Sequence, residues 1–289
     1  MTRLPSGGWT GKVLSRDGTS IAFERIGEGP PLVLVDGAMC YRASGPMRPL
    51  AALLAQYFTV FLYDRRGRGE SGNVLPYAVE REIEDIDAMI KAAGGWAFLF
   101  GVSSGAALAL AAARSGLAVR RLGMYEAPFI VDDLRPPVSD EFLAHVDALV
   151  TANRRSDTVK QFMKAVGVPG VFIALMRLLP AWSRLTAVAH TVPYDFAIMR
   201  DYQKGRPLPA AWATMTVPTI AIDGGRSPAW MRNGMRALAD ILPNVRYETL
   251  AGQTHMVSAK VLAPVLEKFF TSDEVAATAY RPHPLSSRT

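Results

Sequence analysis

The sequence predicts an α/β protein: a mostly parallel sheet with helices on both faces. Three observations predict it. Short apolar runs alternate with stretches of helical periodicity from about residue 32 to residue 125, the signature of strand–helix–strand units. The alternation stops near residue 131 and resumes at residue 217. The chain has 289 residues, more than the roughly 200 such a sheet and its helices need, so the surplus points to one insertion.

Taken in order, Val13–Ser15 and Ile21–Ile26 flank Asp17-Gly18 and read as a hairpin. Leu32–Val35 is a short buried strand ending at Asp36-Gly37. A helix is expected over Pro46–Gln56, with proline at its start, where the missing N–H costs nothing. Phe58–Tyr63 is the next strand, followed by the turn Asp64-Arg-Arg-Gly-Arg-Gly-Glu-Ser-Gly72. Val79–Ala93 carries Ile83, Ile86, Met89 and Ile90 at helical spacing. Strand 96–100, helix 104–115 and strand 120–125 complete the first part of the core. Between 131 and 212 the sequence offers helices at Asp140–Ala152, Asp157–Val166, Val171–Leu179 and Pro193–Tyr202, with no convincing strand. Strand Val217–Ile222, helix Ala229–Leu242, strand Val245–Leu250 and helix Ala259–Phe270 follow. The strands total eight. The expected division is 1–130 for the first part of the core, 131–212 for the insertion, 213–271 for the rest of the core, and 272–289 for a loose polar tail.

Composition narrows the function classes. With 49% hydrophobic and 20% charged residues, wholesale disorder is excluded. The single cysteine, Cys40, permits neither an intramolecular disulfide nor a cysteine-based zinc site. Net charge is +6. Its densest cluster is Arg65, Arg66 and Arg68, without interleaved aromatics, so a basic solvated surface is expected and nucleic acid is not. Ala92–Ala113 is a run of 22 uncharged residues, long enough to suggest a membrane span. Gly94, Gly95, Gly101, Gly105 and the pair Ser103–Ser104 interrupt it, and a strand, a tight turn and a small-residue helix fit it better. The N-terminal MTRLPSGGWT has no apolar stretch of signal-peptide type; a cytoplasmic protein without membrane association is expected.

The chemistry centres on Gly101-Val-Ser103-Ser-Gly105, a G-x-S-x-G between a predicted strand and a predicted helix. Two glycines let a nucleophile turn sharply out of a strand, and the small neighbours hold its hydroxyl clear of the sheet edge. The next N–H, that of Ser104, stands at a helix N-terminus and suits a developing oxyanion.

With Asp36-Gly37, the segment Tyr63-Asp-Arg-Arg-Gly-Arg-Gly-Glu-Ser71, the turn at Ser103 and a late His255, the chain resembles the α/β-hydrolase fold superfamily over roughly residues 10–270. The resemblance implies a helical cap inserted after the sixth strand, matching 131–212. The family commonly has His-Gly where this chain has Asp36-Gly37; the implied oxyanion donor is the following N–H, Ala38, which does not depend on that side chain. The implied general base is His255, in the loop between the last strand and the last helix. His145 and His190 fall in the insertion, and His283 in the tail. The usual acid position, after the seventh strand, reads Asp223-Gly-Gly-Arg-Ser227-Pro, with Ser227 in the carboxylate's slot. Serine cannot balance an imidazolium. Some members instead carry the acid just after the sixth strand, which here is Glu126; Glu126 is favoured, and Asp223 stands as the alternative.

Other features have plainer readings. Gly67-Arg-Gly69-Glu-Ser-Gly72 spells a dinucleotide fingerprint, but the helix that motif must open is missing before Pro76. No metal-ligand spacing is present, and no cofactor is expected. Cys40 reads as a small packing residue. Phe162, Met163, Phe172, Met176, Trp182, Phe196, Met199 and Trp212 make the insertion apolar, with some facing Ser103 to form an apolar pocket. Met39 and Met256 flank the two loops of the site and are candidate pocket residues.

The leading expectation is a cofactor-free serine hydrolase that cleaves an ester, lactone or related acyl bond of a small, largely apolar substrate. Carbon–carbon bond hydrolysis or a lyase or cyclase reaction on the same residues is the alternative. A non-catalytic small-molecule receptor is the competing class. Serine at the turn argues against haloalkane dehalogenase and epoxide hydrolase chemistry, which the family usually runs with aspartate there.

Overall fold

A computed structural model describes residues 2–3 and 8–272. The expected tail, apart from Ser272, and His283 with it, lie outside the described residues. One nine-stranded sheet runs through the molecule. Its strands are β1 (Thr2–Arg3), β2 (Trp9–Leu14), β3 (Ser20–Ile26), β4 (Pro31–Val35), β5 (Thr59–Tyr63), β6 (Ala97–Val102), β7 (Val119–Tyr125), β8 (Thr219–Gly224) and β9 (Val245–Leu250). Their spatial order is β1-β2-β3-β5-β4-β6-β7-β8-β9. The first three strands pair antiparallel, β3 joins β5 antiparallel, and every pairing from β5 to β9 is parallel. All eight expected strands are present; the two-residue β1 is additional. β2 begins earlier than expected because it forms the exposed side of a hairpin, where half of each strand is solvated and apolar alternation is weak.

Helices α1 (Met47–Leu54) and α10 (Ala259–Thr271) cover one face of the sheet; α2 (Val79–Ala92), α3 (Ser104–Arg114) and α9 (Ala229–Ile241) cover the other. The parallel strands β4, β6 and β8 are buried along their whole length, as expected for strands with a helix on each side. The 22-residue uncharged run divides into the end of α2, a Gly-Gly turn, β6, the turn at Ser103 and most of α3. Among the described residues, no helix is long and apolar enough to cross a membrane.

Between β7 and β8 the chain leaves the sheet. It forms α4 (Asp140–Thr151), α5 (Arg155–Ala165), α6 (Gly170–Met176), α7 (Ala181–Ala187) and α8 (Val192–Met199). α7 has no counterpart among the expected helices: two turns flanked by Pro180 are too short to show a period. These helices share their own apolar core, built on Val146, Val159, Ile173, Trp182, Val192 and Phe196. The excursion closes at its base, where Ile130 bridges Gln203 and Phe129, Tyr202 and Trp212 pack edge to face or tilted. Because β7 ends at the carboxyl edge of the sheet and α8 reaches the first turn of α3, the helices stand at the edge where open α/β sheets bind ligands.

One expectation fails. The Arg65, Arg66 and Arg68 cluster is not a solvated surface: all three side chains are buried. Arg65 pairs with Glu82 and Asp195, Arg66 with Asp85 and Asp17, and Arg68 with Asp195. Their carboxylate partners lie 17 to 130 positions away in the chain, so only the tertiary fold brings them together.

Candidate active site

Ser103 is the residue between β6 and α3, held at φ 56°, ψ −129°. A non-glycine residue with positive φ is strained, and the neighbours show why the chain accepts it. A Cβ at Gly101 would stand 2.4 Å from Gly105 O, and one at Gly105 would stand 2.3 Å from Val35 O. Strand and helix are in backbone contact there, so the turn must be completed within one residue. Ser103 N–H donates to Tyr125 O at 2.9 Å, which ties the turn to the end of β7.

The loop after β4 lies against this serine. A methyl group added at Gly37 would meet Ser103 Cβ at 3.1 Å and Oγ at 3.8 Å. Ala38 N–H donates to no group among the described residues, and Ser104, first residue of α3, has an N–H without an intrahelical acceptor. Asp36, where the family commonly has histidine, is buried. Burial pushes its carboxyl up to about 7, although Arg68 and Arg65 pull the other way. Among the described residues its one close donor is Gly37 N–H at 3.3 Å. Burial likewise pushes the Cys40 thiol up to about 12.

Glu126 follows β7 directly, also at positive φ, 46°, and is fully buried. Its Oε1 accepts from Gly224 N–H at 2.7 Å. Its Oε2 lies 2.8 Å from His255 Nδ1. One carboxylate oxygen is thus anchored on the backbone and the other addresses the ring. The loop bearing His255 is fixed at several points: Tyr125 Oη donates to Thr254 O at 2.6 Å, Arg226 N–H to Gln253 O at 2.8 Å, and Ser258 N–H to Gln253 Oε1 at 2.9 Å. A Cβ at Gly224 would stand 2.6 Å from Gln253 O and 2.8 Å from Tyr125 Oη, so the β8 end and the histidine loop are in contact too.

Asp223 is not a partner of His255. It is buried at the end of β8, where Tyr247 Oη donates to its Oδ2 and Arg232 Nε stands at 3.7 Å. Ser227, buried as well, donates its N–H to Gly224 O. No hydrogen bond joins Ser103 Oγ to His255 among the described residues. Met39 is buried in the core of the helical excursion. Met256 is 80% exposed, so it forms no part of an apolar wall: its loop turns the side chain outward while the adjacent His255 turns in.

Two sets of residues escaped the sequence. Tyr125 is the first; nothing in a strand pattern marks a phenol that braces a loop 129 positions later. Asp195 is the second. Its side chain is buried in α8, and a lone carboxylate inside Val-Pro-Tyr-Asp-Phe-Ala-Ile-Met was a legible signal, because such a charge must find a buried partner.

Comparison with known proteins agrees with this architecture. A sequence profile described as "Alpha/beta hydrolase family" matches residues 32–265. An alpha/beta hydrolase from Sphaerobacter thermophilus is 54% identical, with a TM-score of 0.83, over 90% of this chain and all of that one. A hydrolase from Pseudomonas aeruginosa shares the fold at 21% identity and TM-score 0.70, over 91% of this chain and 98% of that one. An enol-lactonase from Burkholderia xenovorans does so at 20% and 0.68, over 91% of this chain and all of that one. The chain belongs to the alpha/beta hydrolase family.

Proposed function

We propose that the protein is a cofactor-free serine hydrolase that opens an ester, lactone or related acyl bond of a small, largely apolar substrate. The observation that carries the reading is the buried Glu126 carboxylate at 2.8 Å from His255 Nδ1, beside a serine held at a strained strand-to-helix turn. An ionised carboxylate only accepts hydrogen bonds, so the ring proton sits on Nδ1 and Nε2 is left free as a base. Ser103 Oγ attacks the acyl carbon while Nε2 takes its proton. The carbonyl oxygen becomes an oxyanion and is met by the N–H groups of Ala38 and Ser104. The imidazolium, balanced by Glu126, returns the proton to the leaving oxygen. Water then attacks the acyl-enzyme by the same route and frees the acid and Ser103. Asp223, engaged by Tyr247 and Arg232, has no part in this sequence. The helices between β7 and β8 act as a cap, and Met39, next to Ala38 in sequence, joins their apolar core, which supports an apolar substrate.

A fluorophosphonate probe together with an activated aryl ester tests the reading. Wild-type protein is expected to be labelled at Ser103 and to turn the ester over, and Ser103→Ala to lose both while remaining folded. An unlabelled, inactive wild type that retains a small apolar ligand tightly would make it a binding protein instead.

A further inference from the structure

One buried carboxylate from the helical excursion touches the supports of both oxyanion donors. Asp195 Oδ1 accepts from Ser104 Oγ at 2.7 Å and from Arg65 Nη1 at 2.8 Å. Its Oδ2 accepts from Arg68 Nη2 at 2.6 Å. Each arginine reaches on to the loop after β4. Arg65 Nη1 donates to Asp36 O at 3.3 Å, and Arg68 Nη1 donates to Gly37 O at 2.7 Å and to Cys40 O at 3.3 Å.

The Gly37 carbonyl matters most, because it belongs to the peptide whose N–H is that of Ala38. In a planar trans peptide the two groups point in opposite directions. A guanidinium that pins the carbonyl therefore sets the direction of the N–H, and by polarising the peptide it strengthens the donor. Arg68 is itself oriented from the excursion: Thr191 Oγ1 accepts from its Nε at 3.1 Å, and Asp195 Oδ2 accepts from its Nη2 at 2.6 Å. We infer that Asp195 is a positioning residue, which aligns the Ala38 and Ser104 N–H groups only while α8 is docked on the sheet. This rests on the serine-hydrolase reading above.

The chemistry of the cluster favours this over simple core packing. α8 is apolar apart from Asp195, and a buried ion pair contributes little net stability over apolar residues of the same volume. Burial alone would raise the carboxyl, but Arg68 and Arg65 outweigh it and hold Asp195 below the usual carboxylate range. The charge is therefore kept in the folded protein, at the junction of excursion, nucleophile turn and oxyanion loop. Arg65 is further fixed by two bonds of 2.7 Å to Glu82 on α2, and Asp195 is the partner it takes from the excursion.

Hydrolysis of 4-nitrophenyl acetate and of its thionoacetate analogue by the full chain tests the inference, because an aligned oxyanion site favours the oxygen ester over the sulfur ester. Asp195→Asn is expected to lower kcat for the oxygen ester about 30-fold, with KM within about threefold, short of the 10²–10³ loss for deleting a donor outright. The oxygen-to-sulfur preference is expected to fall about tenfold. Ser104→Ala removes only the hydroxyl, at a helix position where alanine is favoured, and decides the matter if Asp195→Asn does not fold. Its expected loss is about fivefold in kcat, with a reduced preference. If the folded variants keep the wild-type preference, with kcat unchanged or merely lowered, Asp195 is structural and the inference is overturned while the hydrolase reading stands. A wild type that is neither labelled by fluorophosphonate nor active overturns both.

Discussion

Glu126 and His255 meet across 129 positions of chain at 2.8 Å, while Asp223, the alternative acid at the end of β8, is turned toward Tyr247 and Arg232. Glu126→Gln is therefore expected to lower kcat for an activated ester by about 10³–10⁴, the cost of an imidazole left in the wrong tautomer. Asp223→Asn is expected to cost less than about tenfold. Steady-state kinetics of the two variants settle the assignment, and the reverse order of losses would move the acid to the end of β8.

Tyr125 makes a separate prediction. Its phenol donates to Thr254 O, next to His255 in sequence, and lies where a side chain at Gly224 would have to go. Tyr125→Phe removes one hydrogen bond and leaves the ring packed, which costs about 1 kcal/mol of stability. The histidine loop loses its brace, so kcat is expected to fall about tenfold while the melting temperature shifts by a few degrees. Equal kcat in the two proteins would show that the loop's other anchors suffice.

What the sequence made legible was what is local. All eight longer strands rest on short apolar runs between turn residues, and the turn at Ser103 rests on five consecutive residues. The choice of Glu126 over Asp223 followed from Ser227, which occupies the expected slot and cannot carry charge. What it hid was tertiary. Three consecutive-looking arginines at 65, 66 and 68 read as surface because basic residues usually are. Their burial depends on Glu82, Asp85, Asp17 and Asp195, and no spacing rule joins positions so far apart. Met256 shows the same limit, since proximity to His255 in sequence does not say which way a loop side chain turns.

That buried network carries its own energetic prediction. Glu82 and Arg65 are both shielded from water, so Glu82→Gln leaves a buried guanidinium short of a countercharge. Breaking such a pair from one side costs about 3–5 kcal/mol. Lys91 pairs with Asp87 one helical turn away, on the exposed side of the same α2, and Lys91→Gln is expected to cost no more than about 0.5 kcal/mol. Urea unfolding of both variants measures the contrast, and similar losses would mean that the buried pair is as well solvated as the surface one.

Asp36 gives the molecule a pH dependence of unusual sign. Carboxylates whose arginine partners outweigh burial are held low and lose their stabilising effect in acid; buried Asp195 and partly exposed Asp17 are of that kind. Asp36 is pushed up to about 7 by burial that Arg68 and Arg65 do not fully offset. Between the unfolded value near 4 and about 7 the folded chain therefore binds the extra proton, and stability declines as pH rises through that window. Asn is nearly isosteric, never ionises, and removes this dependence. At pH 4 the two proteins are expected to melt close together. At pH 8 Asp36→Asn is expected to be the more stable, by on the order of 2–4 kcal/mol. The acid-side losses from Asp195 and Asp17 are common to both proteins and cancel in the difference. Melting curves taken in steps from pH 4 to pH 8 check the point, and a constant offset across the series would show that Asp36 ionises alike in the folded and unfolded chain.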